Sequence, residues 1–455
     1  MSAGTDARAL LPAVDRVLRA MEARPEASSY APARRADAAR AVLARLRAAL
    51  PAVVPGVEEV AAEALALLAA EAAAGLSRAV NGTGIVLHTG LGRAVLAPEA
   101  VAAVAALDGC CTLQIDLETG ARGRRDAVIA HLLATLTGCE AATVVNNNAA
   151  ATLLVLAALC AGRQVVVSRG QLIEIGGSFR LPDVIQASGA RMVEVGTTNK
   201  THLRDYERAL TPDTAALLHV HPSNYRIIGF SQSVSLAEPA SLKEGRELIL
   251  IDDLGCGALV DLARVGLPHE PTVQESLAGG ADVALFSGDK LIGGPQCGII
   301  VGKRTCIEKI RKHPLARALR VGKFTVAALE ATLKLFLNPE TAWRRVPTLR
   351  MLALTVDELV ARATALADRL SPLFRARRTH GERLRAARCL PQGFPPPPWR
   401  WRIQRCPPAS WRAGFASPIP RSWGASITSN IFWTRGPYSP ATRSASRPPP
   451  EWSGG

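Results

Sequence analysis

The chain has 455 residues, 48% apolar and 20% charged, enough apolar material for a large core in two or three domains and too much for a disordered chain. Its 54 basic residues outnumber 39 acidic ones, a formal net charge of +15. A surplus of that size points to a polyanionic partner and exceeds what solvating a surface requires.

The opening stretch carries Asp6 and Asp15 and no apolar segment leading to a cleavage site, so no signal peptide is expected. No stretch reaches the roughly 18 uncharged apolar residues of a membrane helix. The nine cysteines are odd in number and lack C-x-x-C or Cys/His ligand spacing. That argues against a disulfide framework and a metal site, and predicts a reducing cytoplasm.

Residues 1–75 are rich in alanine, arginine and glutamate, with helical spacing around Val14–Leu18 and again from Ala41 to Leu50. They predict a small helical domain, and Arg34, Arg35, Arg40 and Arg45 make it the candidate contact for that polyanion. Residues 76–305 alternate short β-branched runs with helical or glycine-rich segments. The runs are 142–145, 164–167, 191–195, 215–220, 248–251, 283–286 and 298–301. This rhythm predicts an α/β domain built on a mostly parallel central sheet. Residues 306–380 return to helical periodicity and read as the start of a small C-terminal domain.

Residues 381–455 do not belong with the rest. They hold 14 of the 31 prolines, six of the seven tryptophans, eleven arginines, no lysine and two acids. With no apolar periodicity they predict an aberrant, disordered tail. A shifted reading frame in a GC-rich gene explains the mixture. Read one base earlier, the codons of Phe432, Trp433 and Thr434 must encode Leu-Asp.

The densest chemical signal is Phe286-Ser287-Gly288-Asp289-Lys290, which follows a strand and precedes Gly293-Gly294-Pro295. A lysine at a strand end, held by small residues, can present its amine for a Schiff base with pyridoxal 5'-phosphate. Upstream, an apolar run ends in Asp252-Asp253. A carboxylate there needs a partner such as a protonated pyridine nitrogen. Asp252 is favoured because it directly ends the run, although adjacent acids are not separable on this ground. Farther upstream Asn146, Asn147 and Asn148 open an alanine-rich helix whose first N–H groups suit a phosphate. Strand–Asn turn–helix, strand–Asp, strand–Ser-x-x-Lys is the order of the type I pyridoxal-phosphate (aspartate aminotransferase-like) fold. His219 and His221 share a strand face and read as satisfied strand histidines.

Longer motifs are more specific. Asn81-x-Thr83-Gly84 through His88 to Arg93, Asp116-Leu-Glu118 to Gly123, and Val145-Asn-Asn-Asn-Ala149 resemble the bacterial selenocysteine synthase family, L-seryl-tRNA(Sec) selenium transferase. So do Ser168-Arg169-Gly170, Glu174 to Arg180, Val195 to Asn199, Ser223 to Arg226, Ser287 to Lys290 and Arg317-Ala-Leu-Arg320. The resemblance runs from about 8 to 375 in one register. It implies a pyridoxal 5'-phosphate transferase of selenocysteine biosynthesis. Such an enzyme converts L-seryl-tRNA(Sec) to L-selenocysteinyl-tRNA(Sec) through an aminoacrylyl-tRNA intermediate, with selenophosphate as selenium donor. It further implies a cytoplasmic homo-oligomer built from dimers. Lys290 would carry the cofactor and move the Cα proton, and Asp252, Asn146, Asn147, Asn148 and Ser287 would hold the cofactor. Arg93, Arg317 and Arg320 are the candidates to clamp the selenophosphate anion, and on a helix Arg317 and Arg320 would share a face. Gly90, Gln171 and Cys256 depart from the family pattern of Asn, Glu and Ser. The shifted frame recovers the Leu-Asp-x-Arg-Thr-Val strand that closes the family's C-terminal domain. A lyase acting on a small amino acid, or a catalytically impaired tRNA-binding remnant, are the competing readings.

Overall fold

The computed structural model describes residues 10–49, 53–73, 75–175, 179–222, 227, 229–370, 375–379 and 400–404. It divides into two compact units, Met1–Ala79 and Val80–Gly455.

In the first unit, α1 (Val14–Glu22), α2 (Pro32–Ala48) and α3 (Val57–Ala72) pack around Val17, Met21, Val42, Leu43, Val60 and Leu65. Pro32 at the start of α2 lacks the N–H that would be unsatisfied there anyway. Gly56 opens α3, where Glu59 turns back to accept from the Gly56 amide at 2.8 Å.

In the second unit, α4 (Pro98–Ala105) and α5 (Ala127–Thr137) precede a seven-stranded sheet. Its strands are β1 (Ala141–Val145), β2 (Gln164–Ser168), β5 (Arg191–Val195), β6 (Thr214–Val220), β7 (Ile249–Gly255), β8 (Val283–Ser287) and β9 (Gly298–Gly302). The two-residue strands β3 (Glu174–Ile175) and β4 (Phe179–Arg180) pair only with each other. The order across the sheet is β1-β9-β8-β7-β6-β2-β5, and β9 alone runs against its neighbours. Helices α6 (Asn148–Cys160), α7 (Leu181–Ala187), α8 (Leu203–Ala209), α9 (Ala237–Ser241) and α10 (Val273–Ala278) connect the strands.

The expected strands agree within about a residue except β7, which continues past Ile251 to Gly255. It does so because Asp252 and Asp253 are both buried and both hydrogen-bonded, so neither carboxylate ends the ladder. Alternation then assigns the faces. Ile251, Leu285 and Val145 lie in one core with Leu154 and Val155 of α6, while Phe286, Ala284 and Val144 lie in the other with α5.

Beyond the sheet run α11 (Arg304–Lys312), α12 (Pro314–Ala318), α13 (Lys323–Leu335), α14 (Pro339–Arg345), α15 (Pro347–Leu352) and α16 (Val356–Leu370). Between α15 and α16 the chain turns where Thr355 and Glu358 cap the start of α16.

Of the tail expected to lack regular structure, one stretch is described. Strand β11 (Arg400–Gln404) pairs antiparallel with β10 (Arg375–Thr379). The alternation Arg400-Trp401-Arg402-Ile403 supplies a local period of two that the general absence of pattern had obscured. The rest of 381–455 lies outside the described residues, as do Ser223 to Arg226 and Gly176 to Ser178. No described helix is long and apolar enough to cross a membrane.

Candidate active site

The site assembles at the C-terminal ends of β1, β7 and β8. Lys290 sits in the turn after β8, and backbone pairing holds that turn on several sides. The Gly288 amide donates to Cys297 O at 2.9 Å, Gly294 to Gly288 O at 2.9 Å, and Gly293 to Lys290 O at 3.0 Å. Ser287 is buried at the end of β8, paired with Gly298 of β9.

Asp253 reaches across to the first turn of α6. It accepts from Asn148 Nδ2 at 2.8 Å, Thr152 Oγ1 at 3.0 Å and the Gly255 amide at 3.0 Å. Burial pushes its carboxyl up, opposed by those bonds and by the positive charge of nearby Lys290. Asp252, one residue earlier, faces the other side of the sheet. It meets His219 Nδ1 at 2.7 Å and accepts from Ser276 Oγ of α10 at 2.5 Å. Alternation therefore sets Asp253 with Asn148, where the charge of Lys290 reaches it, and Asp252 with His219 and Ser276 on the other face.

The three asparagines have three different situations. Asn147 caps α6, its side chain accepting from the Ala150 amide at 2.8 Å. Asn148 bonds Asp253 through Nδ2, while its Oδ1 is buried without a partner. Asn146 is exposed, and its amide donates to Leu319 O at 2.9 Å. With Ala150 taken by Asn147, the amides of Asn148 and Ala149 have no acceptor within the helix, and together with the Asn148 oxygen they form a polar opening beside Asp253.

Arg93 is the one non-glycine residue with left-handed backbone among those described, at φ 59°. Such a conformation is strained, and here two contacts fix it. Its guanidinium bonds Asp289 Oδ2 at 3.0 Å, and the amide of the following residue, Ala94, donates to Asp289 O at 3.3 Å. Arg93 thus already has an anion, on the residue preceding Lys290. Arg317 and Arg320 are exposed and have no carboxylate partner among the described residues. They do not share a helical face, because α12 ends at Ala318 and Arg320 instead bridges Val145 at the end of β1. That bridge sets the Arg320 backbone next to Asn146.

A cavity of about 750 Å³ lies on the Asp252 side, with Ser168, Asn199, His219, His221 and Ser276 in its wall. His219 is satisfied by Asp252, as expected. His221 is not: β6 ends at Val220, and the buried His221 Nδ1 has no hydrogen-bond partner. The chain had also offered no signal for Glu270, which is 1% exposed and has Nδ1 of His221 3.5 Å from its Oε1. Among the described residues no group of His, Cys, Asp and Glu could hold a metal ion.

The four arginines expected to contact tRNA are all engaged within the first unit. Arg34 pairs with Glu71, Arg35 with Glu22 at 3.7 Å, Arg40 with Asp37 at 3.2 Å, and Arg45 with Glu63. Arg16, Arg19 and Arg47 are exposed and have no carboxylate partner among the described residues.

Comparison with known proteins adds to this geometry. Residues 79–381 match the sequence model of a family described as L-seryl-tRNA selenium transferase. The L-seryl-tRNA(Sec) selenium transferase of Nitratidesulfovibrio vulgaris is 57% identical over 296 residues, 64% of this chain. The match spans 63% of that relative, so the chain covers under two thirds of its length. The enzyme of the same name from Rhizobium meliloti is 49% identical over 376 residues, 82% of this chain and 80% of the relative. Among solved structures, D-glucosaminate-6-phosphate ammonia-lyase aligns with a TM-score of 0.50 at 22% identity. It covers 70% of this chain and 78% of that one, a likeness of fold alone. The sheet order and this likeness give the type I pyridoxal-phosphate fold expected from the strand–Asp–Lys order.

Proposed function

We propose that this chain, which belongs to the L-seryl-tRNA selenium transferase family, converts L-seryl-tRNA(Sec) to L-selenocysteinyl-tRNA(Sec), with selenophosphate as donor and pyridoxal 5'-phosphate as cofactor. The observation that carries the reading is the convergence of Lys290, the buried Asp253 and the open first turn of α6 on one face of the sheet. These residues fit the cofactor. The orphaned Asn148 Oδ1 and the unclaimed amides of α6 suit its polar substituents and phosphate, and the buried Asp253 suits a protonated ring nitrogen.

The bound cofactor would supply an electron sink for charge developing at the substrate Cα. The chain's own residues do the rest. Lys290 is the attachment point, and its amine takes and returns the Cα proton as the seryl hydroxyl leaves and selenium adds at Cβ. Asp253, rather than Asp252, would hold a protonated ring nitrogen. Arg317 and Arg320, unclaimed by carboxylates among the described residues, bind the selenophosphate anion. Arg93 sets the Asp289–Lys290 turn and is positioned to add to that field.

Of the helical unit, we assign tRNA phosphate contacts first to Arg16, Arg19 and Arg47, whose charges no carboxylate among the described residues neutralises. The reading extends to a homo-oligomer built from dimers, supported by the exposed apolar side chains of Leu91, Val95, Ile115 and Leu117. It extends also to the cytoplasm, supported by seven described cysteines that form no disulfide.

The test is reconstitution of the full chain with pyridoxal 5'-phosphate, followed by single-turnover conversion of seryl-tRNA(Sec) with selenophosphate. Lys290→Ala should lose the cofactor's visible band and all turnover, while tRNA affinity stays within a few-fold. Product formation by that variant would overturn the assignment.

A further inference from the structure

We propose that Phe230 and Lys200 hold the unpaired 3' end of the tRNA: a nucleobase stacks on the ring while the ammonium meets the phosphate chain. This rests on the aminoacyl-tRNA reading given above and places the single-stranded end of that substrate.

Phe230 is 90% exposed. A lone exposed apolar side chain is ordinary, but the backbone that carries this one is fastened on both sides. Residues 197–201, which follow β5, run beside it. The Gln232 amide donates to Asn199 O at 2.8 Å, the Thr201 amide to Gln232 O at 3.0 Å, and Asn199 Nδ2 to Phe230 O at 2.6 Å. Just before the ring Gly229 takes φ 111°, a left-handed backbone in which a side chain would be strained. The Ser231 amide closes that turn on Gly229 O at 2.8 Å. A carrier fixed in advance loses less freedom on binding than a mobile loop would.

The ring's neighbour is a cation. Lys200 Nζ stands 6.0 Å from the Phe230 centroid, and Lys200 is exposed with no carboxylate partner among the described residues. Neither 197–201 nor 227–237 contains Asp or Glu. Phe324 gives the contrast. It has Lys323 Nζ 5.1 Å from its centroid, but that ammonium is taken by the carbonyls of Leu107 at 2.9 Å and Gly109 at 2.6 Å. The residues beside Phe230 are exposed and polar, Asn199, Ser231 and Gln232 among them, where a contact between proteins would use contiguous apolar surface. An open ring, an unmatched positive charge and nearby amide and hydroxyl groups match a single-stranded polynucleotide, with its base faces, phosphates and sugars.

The position suits the same partner. Strands β5, β2, β6, β7 and β8 are parallel neighbours, so their C-terminal ends share one edge of the sheet. Residues 197–201 follow β5 at that edge, and Lys290 follows β8 there. An acyl group esterified to the last ribose must come to this edge, and the unpaired nucleotides before it must cross it.

The experiment measures filter binding of the full chain to two uncharged tRNA(Sec) transcripts, one intact and one lacking its unpaired 3'-terminal nucleotides. The native protein should prefer the intact transcript by about fivefold or more, and Phe230→Ala should lose that preference while binding the truncated transcript as the native protein does. Phe230→Tyr, which keeps a ring, should retain the preference. Lys200→Gln should reduce it and lessen its salt dependence. An unchanged preference in Phe230→Ala, or equal weakening towards both transcripts, would overturn the proposal. So would a changed oligomer size in sedimentation with the preference kept, which would give the ring to a contact between copies. Native protein that binds both transcripts equally would overturn this inference alone. Native protein that binds neither would overturn the tRNA reading and this inference with it.

Discussion

Replacing each of two adjacent aspartates separates the two faces of β7. Asp253 accepts three hydrogen bonds, from Asn148 Nδ2 at 2.8 Å, Thr152 Oγ1 at 3.0 Å and the Gly255 amide at 3.0 Å. In Asp253→Asn the new amide directs N–H groups at one or more of those donors, and the negative charge is gone. Removing one partner of a buried ion pair costs about 3–5 kcal/mol. Cofactor affinity should therefore fall by roughly 10²–10⁴-fold at about 1.4 kcal/mol per decade. Asp252→Asn leaves the α6 face untouched and loses charge-assisted contacts to His219 and Ser276. It should lower the melting temperature while cofactor affinity stays within about threefold. The assay is equilibrium titration of apo-protein with pyridoxal 5'-phosphate by visible absorbance, with thermal melts alongside. A large loss in Asp252→Asn with little change in Asp253→Asn would refute the assignment of faces.

Three further outcomes are expected. Neutralising Arg16, Arg19 and Arg47 together should weaken tRNA binding and flatten its salt dependence more than neutralising Arg34, Arg40 and Arg45, whose charges are already matched; equal effects in filter-binding titrations would contradict this. Gly288→Ala should destabilise the lysine turn by about 1–3 kcal/mol, because a Cβ there overlaps Cys297 Sγ and comes within 2.9 Å of Pro295 O; an unchanged urea midpoint would show that the turn yields freely. The third concerns pH. Glu270 holds its proton to about 9 when folded, whereas an unfolded glutamate releases it near 4.5. Its stabilising contribution is full below pH 4.5 and declines as pH rises towards 9. Glu270→Gln should be less sensitive to alkaline pH than the native protein in urea melts at pH 6 and 8.5, and parallel declines would contradict the raised value.

Much of the fold was legible because hydrophobic period is local. Strands such as Gln164–Ser168 and Gly298–Gly302 are bounded by glycine or polar turns and carry β-branched residues, so their limits emerge without tertiary information. The end of β7 was not legible. Two successive carboxylates read as the point where a buried strand must stop, yet partners from α6, β6 and α10 satisfy both of them. Those partners lie between 24 and 105 residues away in sequence. The pairing of Arg317 with Arg320 failed for the opposite reason. Helical spacing was assumed beyond Ala318, where the chain turns to bridge β1.

The division between Asp252 and Asp253 is less a failure of information than of reference. A strand buried on both faces shows no polar side from which to count, so alternation states that the two acids diverge without saying which way. One contact settles the phase. Ile251 packs in the same core as Leu154 and Val155 of α6, and Asp253, two residues on, inherits that face. The same phase explains why Glu270 left no trace in sequence. It is no part of a periodic element, and nothing about an acid in a loop before a helix predicts burial. It is buried beside His221, which follows β6, with Cys256 and Lys290 near enough to act on its charge. Where chemistry depends on a side chain placed by one strand, sequence order locates it. Where it depends on which neighbours remove that side chain's water, only the assembled sheet does.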